Sequence, residues 1–316
     1  MFDITHLELW IAFAIIVAIL LVLDLAVVNR VGYQLTMRAA LVWSLIWIGV
    51  ALLFNIGIYY FLSGKTALEF MTAYLVEESL SIDNLFVFLI LFRYFGIAPH
   101  LQHRVLIWGV IGAIVLRITM IVAGVTLVRQ FHWLLYVFGA FLIITGVKLA
   151  LERPGSSDPS RNLAVRLARR FLPITDRSDG EKFWVRKDGR LHTTPLFVAL
   201  ITIELSDVIF ALDSIPAVFG ISEDAFVIIT SNIFAVLGLR SLYFVLAKFM
   251  DTFKFLGFGL AVVLTFIGCK MLLNPWLQIS TALALEMVAG ILAVAVVLSI
   301  WSDRRTGKNS TRSPHA

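Results

Sequence analysis

The chain has 316 residues, of which 60% are apolar and 15% charged, with one cysteine and a formal net charge of +5. Apolar runs of about twenty residues recur, the length an α-helix needs to cross some 30 Å of hydrocarbon, so the composition specifies an all-α polytopic membrane protein surrounded by lipid bilayer. The lone Cys269 excludes a disulfide framework and any cysteine-based metal site, and reads as a small buried apolar residue. The excess of positive charge sits in short loops and the tail, where it reports membrane topology rather than contact with nucleic acid.

In chain order the pattern predicts nine spans: 9–28, 40–62, 68–92, 104–128, 132–151, 195–219, 224–248, 254–273 and 280–301. The first lacks a basic leader and a small-residue cleavage site, so it is expected to stay in the membrane. Between the fifth and sixth spans lies the one substantial polar segment, 153–192, with ten Lys or Arg against five Asp or Glu. The positive-inside rule places this segment in the cytoplasm, and the other basic loops then agree on an N-terminus outside and a C-terminus inside. Lys65 and Arg129 are the exceptions. Within this loop RNLAVRLARRFL has an apolar face suited to a short helix lying on the inner leaflet, and Asp188-Gly189 between strand-like residues signals a hairpin. The loop is a candidate surface for a protein partner, against the plainer reading of a solvated connector.

Two spans carry acids that a bilayer does not tolerate idly: EESLSIDNLFVF at 77–88 and IELSDVIFALDSIPAVF at 203–219. An ionised carboxylate at mid-membrane costs about 2.5 to 3.5 kcal/mol on insertion scales, so Glu77, Glu78, Asp83, Glu204, Asp207 and Asp213 together demand a use. These stretches also align with each other. Glu77, Asp83, Asn84 and Leu85 match Asp207, Asp213, Ser214 and Ile215; Gly109 and Arg117 match Asn232 and Arg240; Gly146 and Lys148 match Gly268 and Lys270. The repeat covers helices 3–5 and 6–8. With three helices in each unit, the two must cross in opposite senses, an inverted-repeat architecture with its substrate site where the units meet. The chain divides accordingly into two N-terminal helices (1–67), repeat one (68–152), the basic loop (153–194), repeat two (195–273), and the last helix with a cytoplasmic tail (274–316).

Asp207 and Asp213 lie about 120° apart on an ideal helix and Glu204 lies nearly opposite Asp213, so an unbroken sixth helix does not aim all three at one point. A break near Pro216 is expected, with a kink or unwound turn in the third helix as well. Carboxylate, amide and hydroxyl oxygens without imidazole or thiolate suit Mn²⁺, Mg²⁺ or Ca²⁺. The candidate ligands are Glu77, Asp83, Asn84, Glu204, Asp207, Asp213 and Ser214, with Asp24 a weaker candidate outside the repeat. Arg117 and Arg240 are the natural counter-ions, although packing partners of the acids would look the same in sequence. Lys148 and Lys270 are placed to snorkel or cap, and Glu286 to sit at an interface. Signatures of phosphate cradles and serine nucleophiles are absent, so an enzyme is not expected.

EESLSIDNLFVFLI, IELSDVIFALDSIPAVFG and NIFAVLGLRSLYF closely resemble the TerC family of bacterial integral membrane proteins, especially its Alx-type members. The resemblance runs from the Asp24 helix to Lys270. It implies the inner membrane, a fold of two inverted three-helix repeats, and a role in manganese efflux or in metal loading of exported enzymes, with links to tellurite resistance. It also carries the family's membrane acids onto Asp24, Glu77, Asp83, Glu204, Asp207 and Asp213, beside Asn84 and Ser214. Manganese is then cargo rather than a fixed cofactor, and clustered carboxylates that cannot all stay ionised suggest protons as the exchanged ion. The second reading is a membrane partner that delivers metal to exported proteins, or a tellurite-resistance accessory protein.

Overall fold

A computed structural model of the chain describes residues 7–31, 37–151, 182–187, 190–249, 255–277 and 279–310. Every span expected from the sequence finds its helix there: α1 (Leu7–Val31), α2 (Met37–Phe61), α3 (Gly64–Tyr94), α4 (Pro99–Gln130), α5 (Leu134–Leu151), α6 (Pro195–Phe219), α7 (Ala225–Phe249), α8 (Leu256–Leu273) and α9 (Thr281–Ser310). Among the described residues seven, α2 and α4 to α9, are long and apolar enough to cross a membrane, and α1 contributes a shorter apolar stretch, Leu7–Leu23. In α3 the apolar run is broken by Glu77, Glu78 and Asp83.

The helix boundaries have local causes. Pro99 and Pro195 open α4 and α6, where a missing N–H is no loss, and the Thr194 hydroxyl caps α6 by accepting from the Phe197 N–H. Between α3 and α4 the chain turns at Gly96, whose φ of 63° favours glycine. The expected hairpin is present: β1 (Trp184–Lys187) pairs antiparallel with β2 (Arg190–Thr193), closing on Lys187 opposite Arg190. It is tied to the helices beneath it. Trp184 packs on Phe197 with ring centroids 4.1 Å apart, and the Arg104 guanidinium lies 5.2 Å above the Phe183 ring. The loop helix expected around 161–172 lies outside the described residues.

One helix forms the axis of the molecule. In α7 an 18-residue stretch is 94% buried, against 22% for the corresponding stretch of α2 and 17% for that of α5, so α7 is sheathed by protein while α2 and α5 face outward. The main pairings are α3 with α7, α4 with α6, α5 with α8 and α2 with α7, and α9 closes over α3 and α8. Aromatic rings of α1, α2, α3 and α7 fill one side, with Phe54 and Phe234 4.9 Å apart at its centre.

Helix contact between apolar surfaces in lipid depends on close approach, and glycines supply it. A Cβ on Gly268 of α8 would stand 2.6 Å from the Gly139 carbonyl oxygen of α5, and one on Gly146 would stand 2.7 Å from the Ala261 carbonyl oxygen. The two helices therefore run antiparallel in near backbone contact. In α4 and α6, Gly109 faces Ile203 and Gly124 faces Phe219, a parallel pairing. Near the start of α3, the Ser222 hydroxyl donates to Glu69 over 2.7 Å, and Lys270 donates to the Gly220 carbonyl just past α6. Lys270 thus caps a helix end.

The break expected at Pro216 does not occur. The helix α6 is continuous through it to Phe219, and α3 is likewise continuous from Gly64 to Tyr94. Pro216 sits in the last turn of α6, so the helix gives up a single bond, the one to the Leu212 carbonyl, and its pattern continues past the proline, the Gly220 N–H donating to the Pro216 carbonyl. Continuity means that the acids of α6 point to different neighbours.

The glycine contacts predict a contrast in stability. Gly268→Val forces α5 and α8 apart and should cost about 2 kcal/mol or more, whereas Gly57→Ala, with nothing within 4 Å of the new methyl, should be neutral or gain about 0.5 to 1 kcal/mol. Thermal unfolding in detergent micelles checks both, and equal stability of the two variants would contradict the packing described.

Candidate cation site

Four helices meet at one guanidinium. Arg117 lies in the middle part of α4 and is 1% exposed. Its Nε and Nη2 donate to the two oxygens of Asp207 over 3.1 and 2.9 Å, a bidentate fork, while Nη1 donates to Glu77 Oε1 and to Asn232 Oδ1, the latter over 3.2 Å. Glu77, Asp207 and Asn232 are as thoroughly buried. A planar guanidinium with donors in a fixed fork suits a carboxylate on each side, so the arrangement uses what arginine has and lysine lacks.

The helices place these groups for simple reasons. Asp207 is at the centre of α6, and the parallel run of α4 beside α6 brings Arg117 close enough for its long side chain to reach it. Glu77 of α3 reaches the same point because α3 lies along α7, which contributes Asn232. Two acceptor and donor atoms are left over: Glu77 Oε2 and Asn232 Nδ2 find no hydrogen-bond partner among the described residues.

The other acids take separate places. Glu204, one turn before Asp207, lays its carboxylate over Gly112 of α4, so close that a side chain at Gly112 would overlap it, and its Oε2 is unpartnered among the described residues. Glu78 is half-buried beside Tyr74, one turn before it on α3, with Oε1 near Gly238 of α7 and Oε2 without a hydrogen-bond partner among the described residues. Asp213 is half-buried and accepts from Thr145 of α5 over 3.2 Å. Ser214 and Asn84 are buried, and the Ser214 hydroxyl has no partner among the described residues. Arg240 is buried in α7. Glu286 is exposed on α9. The side chains of Asp24 and Asp83 lie outside the described residues.

Glu77 and Asp207 are therefore brought together, through Arg117, and Glu204 flanks them. Asp213 is not part of that cluster; the 180° between it and Glu204 is resolved by two different neighbours rather than by a broken helix. Among the described residues no three His, Cys, Asp or Glu side chains gather closely enough to hold a metal ion, because the guanidinium stands between the acids that meet. Asn232 was read from the sequence only as the counterpart of Gly109. Its signal is weak, one amide following the hydroxyls of Thr230 and Ser231 in a largely apolar run, and Thr145 likewise is a single aliphatic hydroxyl in an apolar helix.

The clamp makes a testable demand on stability. Arg117→Met leaves two buried carboxylates without a cation and should destabilise by about 3 to 5 kcal/mol. Adding Asp207→Asn to that variant should restore part of the loss, since one of the two uncompensated charges is then gone. Thermal unfolding of the single and double variants measures this, and strictly additive losses would show that the two side chains do not interact.

Comparison with known proteins identifies the family of the chain. The model of the integral membrane protein TerC family matches residues 62–307. A protein of Escherichia coli strain K12 named "Putative membrane-bound redox modulator Alx" is 48% identical over 309 residues, covering 95% of this chain and 96% of its own. The Shigella flexneri protein of the same name is also 48% identical, and an "Uncharacterized membrane protein STKORF319" of Myxococcus xanthus is 44% identical over 306 residues, 97% of this chain and 96% of its own. No solved structure matches. With the family model spanning most of the chain and relatives near half identical along almost their whole length, this protein belongs to the TerC family of integral membrane proteins.

Proposed function

We propose that the chain is a secondary transporter exporting a divalent metal cation, manganese foremost, in exchange for protons. The observation that supports this most directly is the meeting of Glu77 and Asp207, from the first helix of each three-helix unit, on a single buried cation at mid-helix. Oxygen donors at that point are hard ligands, suited to Mn²⁺, Mg²⁺ or Ca²⁺. Intramembrane acids of this kind mark ion paths, and both units contribute one.

The helix pairs support an inverted relation between the units. Exchanging α3 with α6, α4 with α7 and α5 with α8 turns the α3–α7 pair into α4–α6 and leaves α5–α8 unchanged. Antiparallel contact of α5 with α8, and parallel contact of α4 with α6, are what a two-fold axis in the membrane plane requires. In this reading the N-terminus lies outside the inner membrane, the 153–192 loop and C-terminus lie in the cytoplasm, Asn84, Glu204, Asp213 and Ser214 line the path beyond the clamp, and Asp24 and Asp83 are further candidate ligands. Arg240 serves the second unit as Arg117 serves the first.

A second reading is favoured by the hairpin. It ties a basic loop to the starts of α4 and α6, the helices that carry Arg117 and Asp207, so a protein docked on the loop would reach the site through the length of those two helices. That suits a subunit delivering metal to exported proteins. The relatives' name, a membrane-bound redox modulator, would fit an indirect effect of such metal supply.

Purified protein in liposomes separates these readings. Mn²⁺ flux without a partner, faster under an inward proton gradient, is the expected result, and Asp207→Asn should lower it by at least about tenfold, while Glu286→Gln leaves it unchanged. Saturable flux indifferent to the proton gradient would remove the exchange step. Metal binding without flux under any gradient would replace export by delivery.

A further inference from the structure

We propose that Arg117 is a tethered occupant of the cation site: a divalent cation displaces its guanidinium on loading, Glu204 receives it, and its return to Glu77 and Asp207 drives release. The proposal rests on the export reading above and adds the device by which the site empties.

The guanidinium is bound by the groups a hard cation would use. Two carboxylates and an amide oxygen surround it, drawn from three helices. Its fit is incomplete, since Glu77 Oε2, fully buried, has no hydrogen-bond partner among the described residues, and neither has the Asn232 amide nitrogen. Such leftover atoms cost stability in a medium without water, and they are explained if the same shell also serves a second, spherical occupant that takes more oxygens.

The structure also provides a place for the displaced side chain. Glu204 is one helical turn before Asp207, and because α4 and α6 run parallel, it lies beside Gly112, five residues before Arg117. The separation along the axis is about 4.5 Å between Glu204 and Asp207 on α6 and about 7.5 Å between Gly112 and Arg117 on α4, distances that rotamer changes of a long arginine side chain span. Gly112 has no side chain to block the way, and Glu204 Oε2 is unpartnered among the described residues. Counted as ionised, Glu77, Asp207 and Glu204 with Arg117 sum to two negative charges, which one divalent cation neutralises. With metal on Glu77 and Asp207 and the guanidinium on Glu204, each pair is neutral. A structural staple would need no free acid one turn away and no glycine beside it.

Equilibrium binding of Mn²⁺ to the purified full-length protein, read by electron paramagnetic resonance of free Mn²⁺, tests this. Arg117→Gln should bind at least about tenfold tighter than wild type, because the internal competitor is gone. Guanidinium ion at non-denaturing concentrations should weaken binding to that variant and leave wild type unaffected. Arg117→Lys, which keeps the charge but loses the fork, should fall between them, and it decides the matter if the Gln variant does not fold. Glu204→Gln should weaken binding in wild type and have no effect in the Arg117→Gln background. Binding to Arg117→Lys no tighter than to wild type, or Glu204→Gln acting equally in both backgrounds, would overturn the proposal while leaving the export reading intact. Wild type that neither binds nor transports Mn²⁺ would overturn the export reading, and this proposal with it.

Discussion

A carboxylate inside hydrocarbon must find a cation or lose its charge, and the position of Arg117 is the answer this chain gives to that constraint. Because the guanidinium has two faces to satisfy, it fixes more than one neighbour. Asp207 holds one edge of the fork, Glu77 and Asn232 the other, and so α3, α4, α6 and α7 must pass the same point at the same depth. The rest of the architecture accommodates that crossing. The axial helix α7 is sheathed by protein, and α4 and α6 approach through Gly109, Gly112 and Gly124, so that the long side chains between them have room. Further out, α5 and α8 meet through Gly139, Gly146 and Gly268 with no ion pair between their interleaved backbones.

A buried ion pair is a poor source of stability compared with apolar packing of the same volume, since desolvation offsets most of the attraction. Its effect here is on specificity of arrangement and on motion. Any rearrangement that separates the first three-helix unit from the second has to detach Glu77 or Asp207 from Arg117, and the hydrocarbon around them offers no water to replace the lost bonds. In the proposed cycle, a cation entering between the acids would supply that replacement. Chemistry and conformational change would then be joined at one residue, and the hairpin clipped to Phe197 and Arg104 lies at the far end of the same α4–α6 pair.

Much of this was legible in the residue pattern, and for identifiable reasons. The helices follow from the length of the apolar runs, and the hairpin from Asp188-Gly189 between strand-forming residues, because these signals are local. Glu77, Asp207 and Arg117 stood out because a charge inside an apolar run has no cheap alternative explanation. What the pattern did not reveal depends on neighbours far away in sequence. Gly112 gives no hint that Glu204 will lie over it, and Asn232 looked like one polar residue among many until α7 placed it beside Arg117. The angular conflict among Glu204, Asp207 and Asp213 was real, but a single-helix argument assumed one target. With α4 on one side and α5 on the other, the helix keeps its bonds through Pro216 and the acids diverge.

The central claim is that the carboxylates now holding Arg117 are the ones that hold metal. A structure determined with Mn²⁺ bound, the ion located by its anomalous scattering, tests this directly. The account predicts a peak within coordination distance of both Glu77 and Asp207, with the Arg117 side chain moved away from them. A peak elsewhere, with Arg117 still bridging Glu77 and Asp207, would contradict it.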